Sequence, residues 1–241
     1  MSPGPLVEDE VHVWHASLRQ SACGLESLFG LLSDDERSKA LRYYFRSDCD
    51  RYIAGRGILR SVLALYLQLP PEELRFAYSP YGKPSLETQG CGLNLRFNVS
   101  HSHEEAIYAV ALGREVGLDI EFIRDEFASL QLAEQFFSRR EVMMLRTVTE
   151  GAAWRRAFFN CWTRKEAYIK ARGEGLSYPL DGFAVSLVPG EPASLIQVEN
   201  DPVECSRWSL YEVSAAPGYV GALAVAGRPA RIAHLKWMAE L

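Results

Sequence analysis

The stretch from residue 98 to residue 121 limits the fold of this chain most, because it contains three apolar segments in close succession. The segments begin at Asn98, Ala106 and Gly117 and are rich in Val, Ile and Tyr, which predicts three β-strands. In the third, Asp119 and Glu121 are two residues apart and so project from one face. Two such carboxylates can hold a hard cation such as Mg²⁺, although a solvated strand edge shows the same pattern.

Composition narrows the class of protein. The chain has 241 residues, 48% of them hydrophobic, which is enough for a substantial core in one large or two small domains. A net charge of −5 argues against a general nucleic-acid binder. The cysteines are odd in number and lack Cys-x-x-Cys spacing, which favours reduced thiols over a disulfide framework or a zinc ribbon. They are Cys23, Cys49, Cys91, Cys161 and Cys205.

Targeting signals are not apparent in the sequence. Residues 1–5 lack the basic segment and apolar run of a signal peptide. No run approaches the ~18–20 apolar residues of a membrane span. We therefore expect a cytoplasmic protein that binds neither membranes nor nucleic acid.

Capping patterns and apolar periodicity predict helices around the strands. Ser33 followed by Glu36 is a capping box, and the helix that it starts is expected to use Leu41, Tyr44 and Phe45 as apolar anchors. Further helices are expected at about residues 25–32, 47–69, 122–137 and 154–172, with another capping box at Ser138 and Glu141.

The order of the predicted elements repeats along the chain. Each half has an opening strand, helices, one long helix and then several strands. We therefore predict an α+β fold of two similar halves related by a pseudo-twofold axis, residues 1–113 and residues 114–241.

The long helix of the second half carries three residues spaced by four, Trp162, Glu166 and Lys170, which share one face. Glu166 and Lys170 also form the favoured i,i+4 ion pair of an exposed helix, worth about 0.2–0.5 kcal/mol. Together with Asp119 and Glu121 upstream, a third carboxylate and an ammonium favour a Mg²⁺ shell that a phosphate-rich substrate would complete.

Two further segments offer groups to an anion. Ser100 and His101 present a hydroxyl and an imidazole at the end of a strand. Lys83 lies in a turn-rich loop, where a surface lysine is the plain alternative. His101 and His103 could form a zinc pair, but no further ligand lies near them in the sequence.

Five segments match a known family in its order and at compatible spacing. They are Tyr81-Gly82-Lys83-Pro84, Asn98-Val99-Ser100-His101-Ser102, Gly117-Leu118-Asp119-Ile120-Glu121, Phe136-Phe137-Ser138-Arg139-Arg140-Glu141 and Trp162-Thr163-Arg164-Lys165-Glu166-Ala167-Tyr168-Ile169-Lys170. In these segments the chain resembles the monomeric, pseudo-dimeric (Sfp-type) 4'-phosphopantetheinyl transferases, which activate peptide synthetases, polyketide synthases and related carrier proteins. The resemblance runs from about residue 33 to residue 188 and implies the fold of that family.

The resemblance also implies a role for each matched residue. The Mg²⁺ ligands would be Asp119, Glu121 and Glu166. The adenosine 3'-phosphate of coenzyme A would be held by Lys83, Ser100 and His101, with Arg51 and Lys39 assisting, and its pyrophosphate by Lys165 and Lys170. Glu166 would help to deprotonate the acceptor serine, directly or through a metal-bound water, and Lys170 would stabilise or protonate the leaving phosphate. One position departs from the family, because Glu36 stands where members often carry a basic residue, and the nearby Arg37 could substitute for it.

The implied function is transfer of 4'-phosphopantetheine from coenzyme A to a serine of an apo acyl or peptidyl carrier protein, with release of adenosine 3',5'-bisphosphate. A metal-dependent nucleotide phosphohydrolase would share the carboxylates but would need a water-activating base. A non-enzymatic coenzyme A-binding module would keep the basic loop without needing three carboxylates. We expect a monomer, because the chain itself contains both halves.

Overall fold

The computed structural model describes residues 4–87, 93–175 and 178–238, so Cys91 lies outside the described residues. The other four cysteines are free thiols. The elements of the first half are β1 (Glu10–Ser17), α1 (Ala22–Gly30), α2 (Asp34–Ala40), α3 (Arg46–Leu67), β2 (Phe76–Tyr78), β3 (Pro84–Leu86), β4 (Leu95–Ser102) and β5 (Glu105–Leu112).

The second half repeats the combination of one long helix and a sheet. Its elements are β6 (Val116–Phe122), α4 (Leu130–Phe136), α5 (Arg139–Thr147), α6 (Ala152–Arg172), β7 (Phe183–Val185), β8 (Leu195–Val198), α7 (Glu204–Arg207), β9 (Trp208–Val213), β10 (Tyr219–Ala226) and β11 (Arg231–Lys236).

Two main sheets organise the molecule. The first has the strand order β11-β1-β5-β4 and the second has the order β6-β10-β9. Strand β11 comes from the end of the second half but pairs in parallel with β1 of the first half. Strand β11 belongs to residues 114–241 but completes the sheet of residues 1–113. The division of the chain between residues 113 and 114 therefore stays a prediction. The predicted mixture of helices and strands, the α+β class, is confirmed.

Apolar packing explains how the sheets are placed. Helix α3 covers one face of the first sheet, and helix α6 covers one face of the second. The two remaining faces meet in a third core, where residues such as Val13 and Ile107 from the first sheet pack with Leu118, Ile120 and Leu223 from the second. Within the described residues, no helix is both long enough and apolar enough to cross a bilayer.

The predicted apolar anchors of α2 are wrong. The helix ends at Ala40, and the side chains of Leu41, Tyr44 and Phe45 are 75%, 91% and 62% exposed in the connection to α3. Residues 41–45 lie between α2 and α3, which begins at Arg46, so the helical spacing of apolar residues does not place them on a buried face.

The predicted helix over residues 122–137 is also too long. Strand β6 continues through Phe122, and α4 begins only at Leu130. Ser129 marks the start, since its hydroxyl accepts a hydrogen bond from the backbone N–H of Leu132 at 3.2 Å.

Candidate active site

Side chains of β4 join the two halves. Strands β4 and β6 lie side by side, and every second residue of β4 offers an oxygen to a backbone N–H of β6. Leu118 N donates to Asn98 Oδ1 at 2.8 Å, Ile120 N to Ser100 Oγ at 3.3 Å, and Phe122 N to Ser102 Oγ at 3.1 Å. These bonds satisfy donors on an edge of β6 that has no backbone partner among the described strands.

The same serines orient the two carboxylates of β6. Ser100 Oγ donates to Asp119 Oδ1 at 2.9 Å, and Ser102 Oγ donates to Glu121 Oε2 at 2.8 Å. Asp119 is only 4% exposed. The prediction that both carboxylates share one face of a strand, with Ile120 turned into the core, is confirmed.

Helix α6 lies directly over this face because Gly117 has no side chain. A Cβ at this position would lie 2.1 Å from the carbonyl oxygen of Ala167 and 2.2 Å from the backbone nitrogen of Ala171. The helix backbone thus takes the space of a side chain. The helix then holds Glu166 and Lys170 over Asp119.

Electrostatic interactions tie these groups into one cluster. Lys170 Nζ lies 2.6 Å from Asp119 Oδ1 and donates to Ser100 Oγ at 3.1 Å. Burial and then the charge of Asp119 raise the pKa of Glu166, and the same two causes raise the pKa of Glu121. Lys170 opposes both shifts without cancelling them.

The donor set suits a hard divalent cation. Asp119 Oδ2 is buried and has no hydrogen-bond partner, so one oxygen is free to bind an ion. Carboxylate oxygens are the ligands that Mg²⁺ prefers, and concentrated negative charge favours its binding. Among the described residues, no group of three His, Cys, Asp or Glu side chains is already arranged to hold a metal. Lys170 occupies the other oxygen of Asp119 instead.

A pocket of about 280 Å³ opens on the other face of β4, between that strand and α3. Arg51 and His101 both line it, together with Tyr52 and Tyr108. Burial among protein atoms lowers the pKa of His101, whose ring keeps an exposed surface, and the cations of Lys170 and Arg51 lower it further. The imidazole therefore lies in a positive field, where an anion would be favoured.

The predicted phosphate-binding set is only partly brought together. Ser100 and His101 are neighbours in a strand and face opposite ways, so the Ser100 hydroxyl is buried against β6 and is already bonded to Asp119 and Lys170. The structure thus places the Ser100 hydroxyl on the face opposite to His101, and its predicted phosphate contact stays a prediction. Lys83 lines a different pocket, where its amine bonds to Glu115 Oε2 and to the carbonyl oxygen of Ala171, both at 2.9 Å.

Lys165 is not brought to the cluster around Asp119, so its predicted pyrophosphate contact stays a prediction. Its side chain is 1% exposed and lies on the buried side of α6, with Nζ 2.7 Å from Glu141 Oε2. The amine also donates to the carbonyl oxygens of Leu180 and Phe183, at 2.8 and 2.6 Å. The second capping box is confirmed, and its glutamate is the buried partner of this lysine.

The basic residues around α2 have structural partners. Glu36 forms the predicted capping box, and its carboxylate pairs with Arg56 and Arg60 of α3. Arg37 Nη2 donates to the carbonyl oxygen of Gly30 at 2.7 Å. Arg37 therefore does not take the place of the basic residue that family members often carry at the position of Glu36. Lys39 lies 5.2 Å from the centre of the Tyr52 ring, at the edge of the pocket that Arg51 lines.

Comparisons with known proteins show which family the chain resembles. A family model described as the 4'-phosphopantetheinyl transferase superfamily matches residues 115–224, and one described as the N-terminal part of 4'-phosphopantetheinyl transferase matches residues 14–112. The chain is 40% identical to the 4'-phosphopantetheinyl transferase HetI of Nostoc sp., over 92% of this chain and 90% of that protein. The chain belongs to the 4'-phosphopantetheinyl transferase family.

Other transferases of this family are similar over most of their length. The 4'-phosphopantetheinyl transferase Sfp of Bacillus subtilis is 32% identical over 83% of this chain and 85% of its own. The 4'-phosphopantetheinyl transferase gsp of Aneurinibacillus migulanus is 30% identical over 78% of this chain and 73% of its own. The resemblance to the Sfp-type transferases and the class of enzyme, a transferase, are thereby confirmed.

Sequence reasoning missed two residues that shape this candidate site, Asn98 and Ser102. Both lie in a segment that was predicted as a strand and matched to a family motif, and both bond to β6. The signal that could have found them is that every second residue from Asn98 to Ser102 in β4 is polar, just as the carboxylates of β6 are two residues apart.

Proposed function

We propose that this chain transfers the 4'-phosphopantetheine group of coenzyme A to a serine hydroxyl of an apo acyl or peptidyl carrier protein, with Mg²⁺ as the cofactor. The observation that supports this most is the convergence of Asp119, Glu121 and Glu166 with Lys170 where β4, β6 and α6 meet. The family to which the chain belongs gives the reaction.

Asp119, Glu121 and Glu166 would hold the Mg²⁺. When bound, that ion would offset the negative charge of the pyrophosphate oxygens and of the leaving group. The free Oδ2 of Asp119 and the fixed orientation of Glu121 by Ser102 support this assignment.

Arg51 and His101 would bind the 3'-phosphate of coenzyme A in the pocket that they share. Lys83 would assist from a neighbouring pocket, where its ammonium now bonds to Glu115. Lys170 reaches from α6 to Asp119 and is 31% exposed, so its ammonium can also meet the pyrophosphate. We expect it to stabilise the oxygen that leaves.

Glu166 is the proposed base. Its side chain lies close enough to Asp119 and Lys170 for their charges to act on it, so it can accept a proton beside the groups that would bind the substrate. The serine proton would pass to this carboxylate as the serine oxygen forms a bond to the phosphorus next to pantetheine. The bond from that phosphorus to the bridging oxygen would break, and its electron pair would leave with adenosine 3',5'-bisphosphate, beside Lys170.

Intact mass spectrometry tests the proposal. The protein is incubated with coenzyme A, Mg²⁺ and an apo carrier protein, and we expect the carrier protein to gain the mass of one phosphopantetheinyl group. A carrier protein whose acceptor serine is replaced by alanine should stay unmodified, and Asp119→Asn should lose transfer while its circular dichroism spectrum is unchanged.

The same reaction distinguishes the alternatives. Cleavage of coenzyme A without a carrier protein would instead indicate a phosphohydrolase. Binding of coenzyme A with no reaction would indicate a binding module. Either outcome would contradict the proposed transfer. We also propose that the chain works as a monomer in the cytoplasm, which its free cysteines and its two halves support.

A further inference from the structure

Two histidines that the proposed reaction does not use meet where strand β11 pairs with strand β1. His15 on β1 and His234 on β11 approach with Nε2 and Nδ1 3.0 Å apart, and their ring centres are 5.3 Å apart. The contact is exposed to solvent. The residues are 219 positions apart in the chain, so only the parallel pairing of the two strands brings them together.

The surroundings of the pair leave it open to a ligand. By strand alternation, His15 follows Val11 and Val13 on the face that forms the core between the sheets, and it lies at the rim of that core. Lys236 follows His234 by two residues, and its charge acts on Glu105 of β5. Neither charged residue shifts the pKa of either histidine noticeably.

Both imidazoles are neutral at pH 7. Burial and then the neighbouring ring of His234 lower the pKa of His15 to about 4, and burial lowers the pKa of His234. Neutral imidazole is the form that binds metals, so protons compete little at this site.

We propose that His15 and His234 form a two-histidine site for a divalent transition metal of the Zn²⁺ class, with water completing its coordination. Imidazole nitrogens suit Zn²⁺, Ni²⁺ and Cu²⁺, whereas Mg²⁺ prefers oxygen ligands and would not compete. At metal–nitrogen distances of about 2.0–2.1 Å, two nitrogens on a tetrahedral ion lie about 3.3 Å apart. The distance between the two nitrogens needs to grow by only about 0.3 Å from its present 3.0 Å, and both rings must turn so that these nitrogens face the ion.

Metal binding must displace the proton of the hydrogen bond between the two rings. In the metal-free pair, one of the two facing nitrogens donates a hydrogen bond to the other. When the metal binds both facing nitrogens, the donating ring transfers its proton to its other nitrogen by exchange with water. No net proton is released at neutral pH, and no bond other than those to the metal is formed.

Metal binding at this position would link β11 to β1. Strand β11 is held in the first sheet by its pairing with β1. An ion that binds only when the two strands are paired should stabilise that pairing, because ligands of the folded state raise its stability.

Isothermal titration with Zn²⁺ tests the proposal. The protein is used without an affinity tag and with saturating Mg²⁺, in a Cys23→Ser background because Cys23 is an exposed thiol that could bind Zn²⁺ itself. We expect one equivalent of Zn²⁺ to bind, and His15→Asn and His234→Asn each to weaken binding by at least about tenfold. At about a hundredfold excess over Kd, Zn²⁺ should raise the thermal midpoint by roughly 5 °C.

The matched control is His103→Asn. His103 is an exposed histidine at a positive φ of 49°, which asparagine tolerates, and its ring stacks on Phe122 instead of on another histidine. It should bind Zn²⁺ as the background protein does. Loss of binding in His103→Asn with retention in His15→Asn would overturn the proposal and point to the pair of His101 and His103.

A second measurement needs no variant. Diethyl pyrocarbonate modifies accessible neutral imidazoles, and peptide mass spectrometry reports each site. Zn²⁺ should protect His15 and His234 and leave His103 reactive. Equal modification of His15 with and without Zn²⁺ would contradict the proposed site, whatever the variants do.

Discussion

Replacing Gly117 by alanine should disable the site without touching any of its polar groups. The new Cβ would lie 2.1 Å from the carbonyl oxygen of Ala167, whereas real contacts of this kind are not shorter than 3.0 Å. All three clashing atoms, this oxygen and the nitrogen and Cα of Ala171, belong to the helix backbone, so no side chain can rotate away. Helix α6 or strand β6 must therefore retreat by at least about 0.9 Å.

The cost of that movement can be worked out for both stability and rate. Overpacking of this kind typically costs about 1–3 kcal/mol of unfolding free energy, and a rigid clash against backbone belongs at the upper end. Helix α6 carries Glu166 and Lys170, so the same movement withdraws both from Asp119. A misplacement of about 1 Å can lower a rate by about 10²-fold.

Two assays check the prediction. Transfer to an apo carrier protein is followed by intact mass, and the unfolding free energy is measured with urea. The matched control is Gly30→Ala, because a Cβ there meets nothing within 4 Å. A Gly117→Ala protein with wild-type turnover and wild-type stability would refute the view that close approach of α6 assembles the site.

Three further predictions follow from the charges. Lys165→Met should destabilise the fold by about 3–5 kcal/mol because it leaves the buried carboxylate of Glu141 without its charged partner. Adding Glu141→Gln should recover part of that loss. If a Lys165→Met protein is instead stable and has an altered KM for coenzyme A, Lys165 contacts the pyrophosphate as the sequence predicted. His101→Ala should raise the KM for coenzyme A more than it lowers kcat, because the 3'-phosphate is remote from the reacting phosphorus. With dephospho-coenzyme A, wild type and His101→Ala should behave alike, and an equal loss on both substrates would contradict the assignment. In the metal-free protein, Glu121 and Glu166 have raised pKa values, so the folded state binds more protons than the unfolded state. The stability that these two groups contribute should then be lost as the pH rises from about 4.5 through these raised values, and Mg²⁺ should abolish the loss. Denaturant midpoints that rise with pH over this range would contradict the raised pKa values.

The sequence was sufficient where the answer depends on local geometry. Asp119 and Glu121 share a face because strand residues alternate, and Glu166 and Lys170 share a face because helix residues repeat about every four. Lys165 could have been placed by the same rule. It lies four residues after Cys161, and both fall on the side of α6 that is buried against the core.

The sequence was insufficient where the answer depends on what packs against an element. Nothing local shows that the polar side of β4 faces β6, so Ser100 was expected to meet a phosphate and instead meets Asp119. Likewise, the apolar character of Leu41 and Tyr44 suggested burial, but among the described residues no element packs over the connection after α2.

The position of β11 has a consequence for how the chain reaches its native state during synthesis. The first sheet receives its last strand from residues 231–236, which leave the ribosome after most of the chain has emerged. Until then β1 presents an unpaired edge next to a nearly complete sheet, and such edges recruit strands from other molecules. Closing a parallel pair across more than two hundred residues is also entropically slow. We therefore expect late pairing of β11 to limit the yield of soluble protein, and slower translation or a chaperone that covers strand edges to improve it.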